Sequence, residues 1–237
     1  MNTNEENRIR IAQYVNLVES SINITVPYVK IEDNLIKKIY DLLIDSKTYI
    51  SDVQNINNTV IELYFHGLYY FAIGDKLFEK YFLAASAKKH GESSYFMAQY
   101  YDLNNNLEYK ITYLDLASKQ GYVEASFELG EYYNKHDKFK EMEPYYKKAA
   151  KENHVESMYK LGLYYYKISK FDEMKKYYRQ ACENEDIKSM VNLGNYYKEY
   201  KEYDNMFKYY KMIIDDNDDD AETGFNLLES FCKEMMK

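Results

Sequence analysis

The chain has 237 residues, a formal net charge of −8 at pH 7, 30 tyrosines, 2 prolines and 8 glycines. This length provides a sizeable core, either in one or two globular domains or in one elongated repeat array. The acidic balance argues against a surface for nucleic-acid phosphates, and the two cysteines offer neither a disulfide framework nor the spacing of a metal site.

The first 57 residues are predicted to form an N-terminal helical cap. Apolar residues recur with helical spacing within residues 6–22 and again within 35–43. Residues 33–57 also fit a degenerate copy of the unit that follows them. Repeat arrays need terminal elements that cover an otherwise exposed apolar face. We therefore expect this cap to pack on the first unit, with Ile24 and Val26 lying in its groove.

From residue 58 onwards one pattern recurs, with a spacing of 32 residues in every step after the first. Self-similarity at a fixed period of this size is typical of stacked pairs of helices, in which each pair is one unit. The predicted units and the terminal half-unit are 58–91, 92–121, 122–153, 154–185, 186–217 and 218–237.

Each unit is predicted to hold a first helix centred on a small residue and a second helix centred on a tyrosine. The small residues mark a close approach of the two helices, and they are Gly67, Ala98, Gly130, Gly162 and Gly194. A first-helix tyrosine three residues further on is predicted to fill the space between successive pairs. These tyrosines are Tyr70, Tyr101, Tyr133, Tyr165 and Tyr197.

Turn and end signals complete the predicted scheme. The helix ends expected in the left-handed conformation are Gly91, Gly121 and Asn153. Pro144 is expected in the first turn of its helix, where the missing N–H costs little. Adding 32 to Leu193 and Gly194 gives Phe225 and Asn226, which predicts that the register continues into the last helix.

The stretch from His154 to Tyr165, which reads His-x-Glu-Ser-x-x-x-Leu-Gly-x-x-Tyr, resembles the Sel-one-like repeat. The spacing from Leu161 through Tyr165 to Tyr178 resembles the tetratricopeptide repeat instead. The chain lacks the Gly-x-Gly insertion of many Sel-one-like repeats and the proline that ends many tetratricopeptide units. The resemblance covers roughly residues 58–237. It implies an all-α, right-handed superhelical solenoid of stacked helical hairpins, a fold that serves as an adaptor in many complexes.

In the solenoids that the chain resembles, the first helix of each pair lines the concave face. Carried over to this chain, those positions predict a groove that binds a partner. Its residues are Tyr95, Gln99, Asp102, Glu124, Phe127, Glu131, Glu156, Tyr159, Leu163, Tyr166 and Asn195. Carboxylates beside aromatic rings suit a basic protein or peptide segment, while ordinary solvated charges are the other interpretation. The carboxylate clamp of some tetratricopeptide domains is not reproduced, since Val191 stands where its lysine would be.

No sequence signature of catalysis is present. A Gly-rich phosphate loop, a nucleophile elbow and a Cys/His pair are all missing, and the acidic run at 215–220 lacks the order of an EF-hand. The four histidines fall on different units and are predicted to lie at the surface or in turns. We therefore expect no enzymatic activity, no cofactor and no metal.

The predicted function is a non-catalytic adaptor or scaffold for protein–protein interaction. The first alternative is a structural protein that self-assembles into homo-oligomers, and a distant one is a helical repeat that binds single-stranded nucleic acid. The N-terminus lacks the apolar run of a signal peptide, and no stretch is long enough to span a membrane, so a cytoplasmic location is expected. The abundance of Asn, Ile, Lys and Tyr is typical of an AT-rich genome, such as that of a protist or a giant virus of amoebae. For a viral protein the expected compartment is the host cytoplasm.

Overall fold

The computed structural model describes residues 60–72, 75–216 and 218–236. All regular structure within these ranges is helical. The helices are α1 Val60–Ala72, α2 Leu77–Ala87, α3 Gly91–Leu103, α4 Leu107–Lys119, α5 Val123–Lys135, α6 Phe139–Lys151, α7 Val155–Lys167, α8 Phe171–Cys182, α9 Ile187–Glu199, α10 Tyr203–Asp216 and α11 Asp218–Met235. The cap predicted for residues 1–57 lies outside the described residues, and so does its predicted docking through Ile24 and Val26.

Contacts along the chain define two compact units, Met1–Ala125 and Ser126–Lys237. In the first unit α1 packs on α2, α2 on α3, and α3 on α4. In the second unit each helix from α6 to α11 packs on the next, and α5 packs on α6 through ring contacts. Packing between neighbours in sequence is the architecture of a helical repeat protein.

The core of the second unit is built from equivalent positions of successive helix pairs. The first helices contribute Leu161 and Leu193, and the second helices contribute Met142, Met174 and Met206. Apolar residues spaced three and four apart place these side chains on one side of each helix. The apolar positions of the amphipathic helices therefore form one continuous buried layer within this unit.

Glycines allow the two helices of a pair to approach closely, as predicted. A Cβ atom added at Gly162 would lie 2.3 Å from Cε1 of Tyr178, and one at Gly194 would lie 2.2 Å from Cε1 of Tyr210. In the first unit Ala98 stands at this position, and the residue corresponding to Tyr178 is Leu114. Ala98 and Leu114 are both completely buried. A glycine thus accompanies a large aromatic ring, and an alanine accompanies a smaller leucine.

Most of the helices end in a residue with left-handed backbone conformation. These residues are Lys89, Asn105, Gly121, Asp137, Asn153, Ser169, Glu185 and Lys201. The prediction is confirmed for Gly121 and Asn153 and is wrong for Gly91, which is the first residue of α3. Lys89 adopts the left-handed conformation instead, and the next residue, His90, is extended and caps α3.

Two further sequence predictions were wrong. Pro144 is the sixth residue of α6, because that helix already begins at Phe139. Pro144 and Lys140, whose carbonyl would accept from an N–H at Pro144, are both exposed. Water can therefore replace the missing hydrogen bond.

The register does not continue into the last helix. Phe225, predicted at a core position, is 59% exposed. The close approach to α10 occurs instead at Gly224, where an added Cβ would lie 2.9 Å from the carbonyl oxygen of Tyr210. The second helix α10 has 14 residues where α8 has 12, which shortens the turn before α11 and shifts its face.

Two histidines cap helices, a role that was not predicted from the sequence. The Nδ1 atoms of His90 and His154 accept hydrogen bonds from the N–H groups of Ser93 and Ser157, at 3.3 Å and 3.2 Å. Each caps the N-terminus of a first helix, as Asp186 does for α9. The prediction that the histidines lie at the surface or in turns is confirmed for His90, His136 and His154, and it is wrong for His66, which is 7% exposed within α1.

Candidate functional site

The predicted groove residues lie on both units, and those on the second unit occupy one side of three first helices. Tyr95, Gln99 and Asp102 lie on α3, and Glu124 lies in the first turn of α5; all four belong to the first unit. The second unit holds Phe127, Glu131, Glu156, Tyr159, Leu163, Tyr166 and Asn195, on α5, α7 and α9. We call this second set the first-helix face.

The predicted aromatic anchors are half-buried at the edge of the core. The Phe127 ring lies 4.6 Å from the His154 ring, between centroids, and Tyr159 lies 6.2 Å from Tyr178. In the first unit Tyr95 lies 4.7 Å from Tyr122. Each ring therefore packs partly against its own unit, which leaves only part of its surface for a partner.

The carboxylates of the first-helix face are paired with lysines. Glu131 lies 3.1 Å from Lys160, and its carboxylate also accepts a hydrogen bond from the Tyr146 hydroxyl. Glu156 lies 3.9 Å from Lys160 and 3.8 Å from Lys188. The charged side chains on and beside the first-helix face therefore alternate between negative and positive, so the face is not simply acidic. Lys160 follows Glu156 by four residues, a helical spacing that could have indicated this pairing from the sequence.

In the first unit the predicted acidic residues have different surroundings. Asp102 lies 2.7 Å from the Lys110 ammonium. Glu92 lies on the same helix as the groove residues and is half-buried. Burial raises the pKa of the Glu92 carboxyl, and the nearby charge of Glu124 raises it further. Glu92 and Glu124 are therefore close enough to repel each other, and a cation placed near them would relieve that repulsion. Asp102 gains less from an added cation, because Lys110 already pairs with it.

An exposed apolar edge runs along the C-terminal ends of α7 and α9. Leu163 is 39% exposed, Tyr166 44% and Tyr200 48%. Phe171 connects them, because its ring lies 6.1 Å from Tyr166 and 5.9 Å from Tyr200. Leu163 and Tyr166 were predicted from the sequence, whereas Phe171 and Tyr200 were missed. Phe171 begins α8 and Tyr200 is the C-cap of α9, and only the packing shows that they lie together.

Asn195 is exposed on α9, but its side chain is engaged. Its Oδ1 atom accepts a 2.7 Å hydrogen bond from the hydroxyl of Tyr210 on α10. Val191, at the position of the missing clamp lysine, is half-buried against the core. Asn195 therefore anchors the second helix of its own pair.

Metal-ligating side chains and thiols are the other chemical features of the described residues. They contain no group of three or more His, Cys, Asp or Glu side chains that could hold a metal ion. Cys182 is buried, and burial raises the pKa of its thiol to about 12, whereas Cys232 is exposed. Across the same residues, none of the helices has the length and apolar character required to cross a bilayer.

No protein-family model and no curated protein matches this chain. The resemblance to helical repeat families therefore depends on the residues of the chain itself.

Proposed function

We propose that this protein is a non-catalytic adaptor that binds a segment of another protein on the first-helix face of its second unit. The exposed apolar edge at Leu163 and Tyr166 is the observation that supports this most directly. Exposed apolar side chains beside charged ones are typical of peptide-binding surfaces, whose central contacts are apolar and whose rim is polar.

The finer fold belongs to the same proposal: a right-handed superhelical solenoid of the Sel-one-like and tetratricopeptide kind, with a period of 32 residues. Its support is the recurrence of helix starts. The first helices begin at Gly91, Val123, Val155 and Ile187, and the second helices begin at Leu107, Phe139, Phe171 and Tyr203.

The partner segment is expected to carry an apolar side chain together with a basic one. The apolar group would pack on Leu163 and Tyr166, and the basic group would compete with Lys160 for Glu131 and Glu156. Since each carboxylate already has a lysine beside it, charge would contribute more to orientation and specificity than to affinity.

A peptide library offers the direct test. Peptides selected against the wild-type protein are titrated by calorimetry against wild type and against Leu163→Ser/Tyr166→Ser. The double variant should bind at least about tenfold more weakly, because it removes the exposed apolar edge. The matched control is Leu103→Ser/Tyr109→Ser, since these residues are 61% and 49% exposed on the first unit. Equal affinities for wild type and Leu163→Ser/Tyr166→Ser would refute the proposal.

Self-assembly is the second candidate, and the last helix favours it. Phe225 is 59% exposed and Met235 62%. If α11 mediates association, the mass measured by light scattering should rise with protein concentration in wild type and remain that of a monomer in Phe225→Ser. A monomer at every concentration would eliminate this candidate.

A further inference from the structure

Four basic side chains lie on the outward sides of α8 and α10 in the second unit. They occupy the same two positions of each helix: Lys176 and Arg179 on α8, and Lys208 and Lys211 on α10. Residues three apart lie on one side of a helix, and all four side chains are exposed. We call this set the basic strip.

Aromatic rings lie beside two of the three lysines of the strip. The Lys176 ammonium lies 5.2 Å from the ring centre of Tyr177. The Lys208 ammonium lies 5.5 Å from the ring centre of Tyr209. A ring orients an ammonium group without cancelling its charge, so these two cations are positioned and still able to attract an anion.

Tyrosine hydroxyls hold the arginine in a similar way. Nη2 of Arg179 donates a 2.9 Å hydrogen bond to the Tyr197 hydroxyl. Hydrogen bonds to the hydroxyls of Tyr197 and then Tyr209 raise the pKa of Arg179. Because Arg179 and Lys208 both contact Tyr209, the cations of α8 and α10 are brought together around one ring. The remaining N–H groups of the guanidinium can pair with a carboxylate.

The members of the strip form no ion pairs with described carboxylates, unlike the lysine at the equivalent position of α6. Ion pairs of the second unit involve other lysines, and no described carboxylate forms one with a member of the strip. On α6 the residues equivalent to Lys176 and Arg179 are Pro144 and Lys147, and Lys147 lies 2.6 Å from Glu143. At these two helix positions, cations without an ion pair are therefore found on α8 and α10 and not on α6.

Acidic residues bound the strip along both helices. Asp172 and Asp204 lie one turn before it, and Glu183 and Asp215 lie one turn after it. A long polyanion would run past these carboxylates and be repelled, whereas a short run of negative charges would not. The strip therefore fits a short anionic segment better than a nucleic acid.

We propose that the basic strip is a second docking surface, which binds a short protein segment rich in Asp and Glu. This surface is separate from the first-helix face, and its existence does not depend on the function proposed above. The adaptor would then hold two segments of different chemistry on two sides of one unit.

Fluorescence anisotropy with a labelled oligo-glutamate peptide tests this inference. Wild type is compared with Lys208→Glu/Lys211→Glu on the strip and with Lys140→Glu/Lys151→Glu on α6. Both double variants change the net charge equally, and all four lysines are exposed. The expected result is a loss of at least about tenfold in affinity for the strip variant alone, and weaker binding by wild type at higher salt. Lys208→Gln/Lys211→Gln provides a second, milder variant, and circular dichroism confirms folding.

Three outcomes would overturn the inference. The first is equal affinity for wild type and both strip variants. The second is no binding of oligo-glutamate at low ionic strength. The third is preference, by about tenfold or more, for a phosphopeptide or an oligonucleotide of matched charge. Binding of oligo-glutamate by Leu163→Ser/Tyr166→Ser at wild-type affinity is also expected, and its loss would merge the two surfaces into one.

Discussion

Gly162 and Tyr178 form a pair in which a missing side chain makes room for a ring. The ring atoms of Tyr178 occupy the volume that a Cβ at Gly162 would need. The Ala98 and Leu114 positions of the first unit show the alternative solution, with a larger residue on the first helix and a smaller one on the second. Protein interiors are packed densely enough that one methyl group matters.

Gly162→Ala should lower the free energy of unfolding by about 1–3 kcal/mol, since the new methyl overlaps the Tyr178 ring. Adding Tyr178→Leu reproduces the combination found at Ala98 and Leu114, and should recover part of that loss. Urea titration of the two single variants and the double variant gives the coupling energy. A coupling energy near zero would mean that the ring moves aside freely.

The histidine cap of α3 should make stability depend on pH. Burial lowers the pKa of His90 from its usual 6.5, so the folded state binds the proton less readily than the unfolded state. Stability should therefore rise with pH between the lowered pKa and 6.5, and be constant above it. The Glu92 carboxylate, 3.7 Å from Nε2 of His90, partly opposes this trend.

His90→Asn retains an acceptor at the cap but does not titrate. The variant should match wild type near neutral pH and lose less stability on acidification. Thermal unfolding followed by circular dichroism at several pH values measures the difference. Parallel curves for the two proteins would show that the cap does not set the pH response.

At the scale of helices, stacked tyrosine pairs connect the two members of each hairpin. The rings of Tyr165 and Tyr177 are 5.6 Å apart with an interplanar angle of 9°. The other pairs are Tyr70–Tyr81, Tyr101–Tyr113, Tyr133–Tyr145 and Tyr197–Tyr209. The first tyrosine also reaches the preceding hairpin, because the Tyr165 hydroxyl donates a 2.6 Å hydrogen bond to Glu143 on α6. One side chain thus connects three helices.

Tyr165→Phe should reduce the free energy of unfolding by about 1 kcal/mol, since it removes one hydrogen bond to a charged group and keeps the ring. Tyr177→Phe is the control, because it keeps the stacked pair and removes a hydroxyl that forms no such bond to Glu143. Denaturant unfolding measures the free energy of unfolding of both variants. Equal effects would assign the stabilisation to the rings alone.

For the part of the chain that the structure describes, the sequence predicted the helices, their pairing and the small residues between them, because these follow from local periodicity and from the size of one side chain. The site was less predictable. Its ion pairs depend on which rotamers long side chains such as Lys160 adopt, and its apolar edge depends on how the ends of α7, α8 and α9 lie together. The register predicted for α11 was wrong at Phe225, because α10 is two residues longer than α8 and no residue type indicates that difference.

At the scale of the second unit, stability should be graded along the chain. Each helix packs chiefly on its neighbours in sequence, and Phe231 of α11 packs on Tyr203 and Phe207 of α10. Contacts of this kind make the stability of a repeat protein approximately a sum of neighbouring terms.

A chain truncated after Asp216 should lose at least about 3 kcal/mol of stability in α9 and α10, because the apolar surface covered by α11 becomes exposed. Helices α6 and α7 should be much less affected. Hydrogen exchange read by mass spectrometry resolves the two regions. Uniform loss of protection across the unit would indicate one cooperative core instead.

The left-handed residues at the helix ends have a consequence for evolution and engineering. Glycine adopts this conformation without steric cost, yet Lys89, Glu185 and Lys201 occupy it here. Replacing each of them by glycine should raise stability by about 0.5–1 kcal/mol, as thermal unfolding would show. Because the three turns are far apart in the sequence, the increments should add. Glycine at these three turns would therefore supply extra stability, which could offset destabilising mutations elsewhere in the chain.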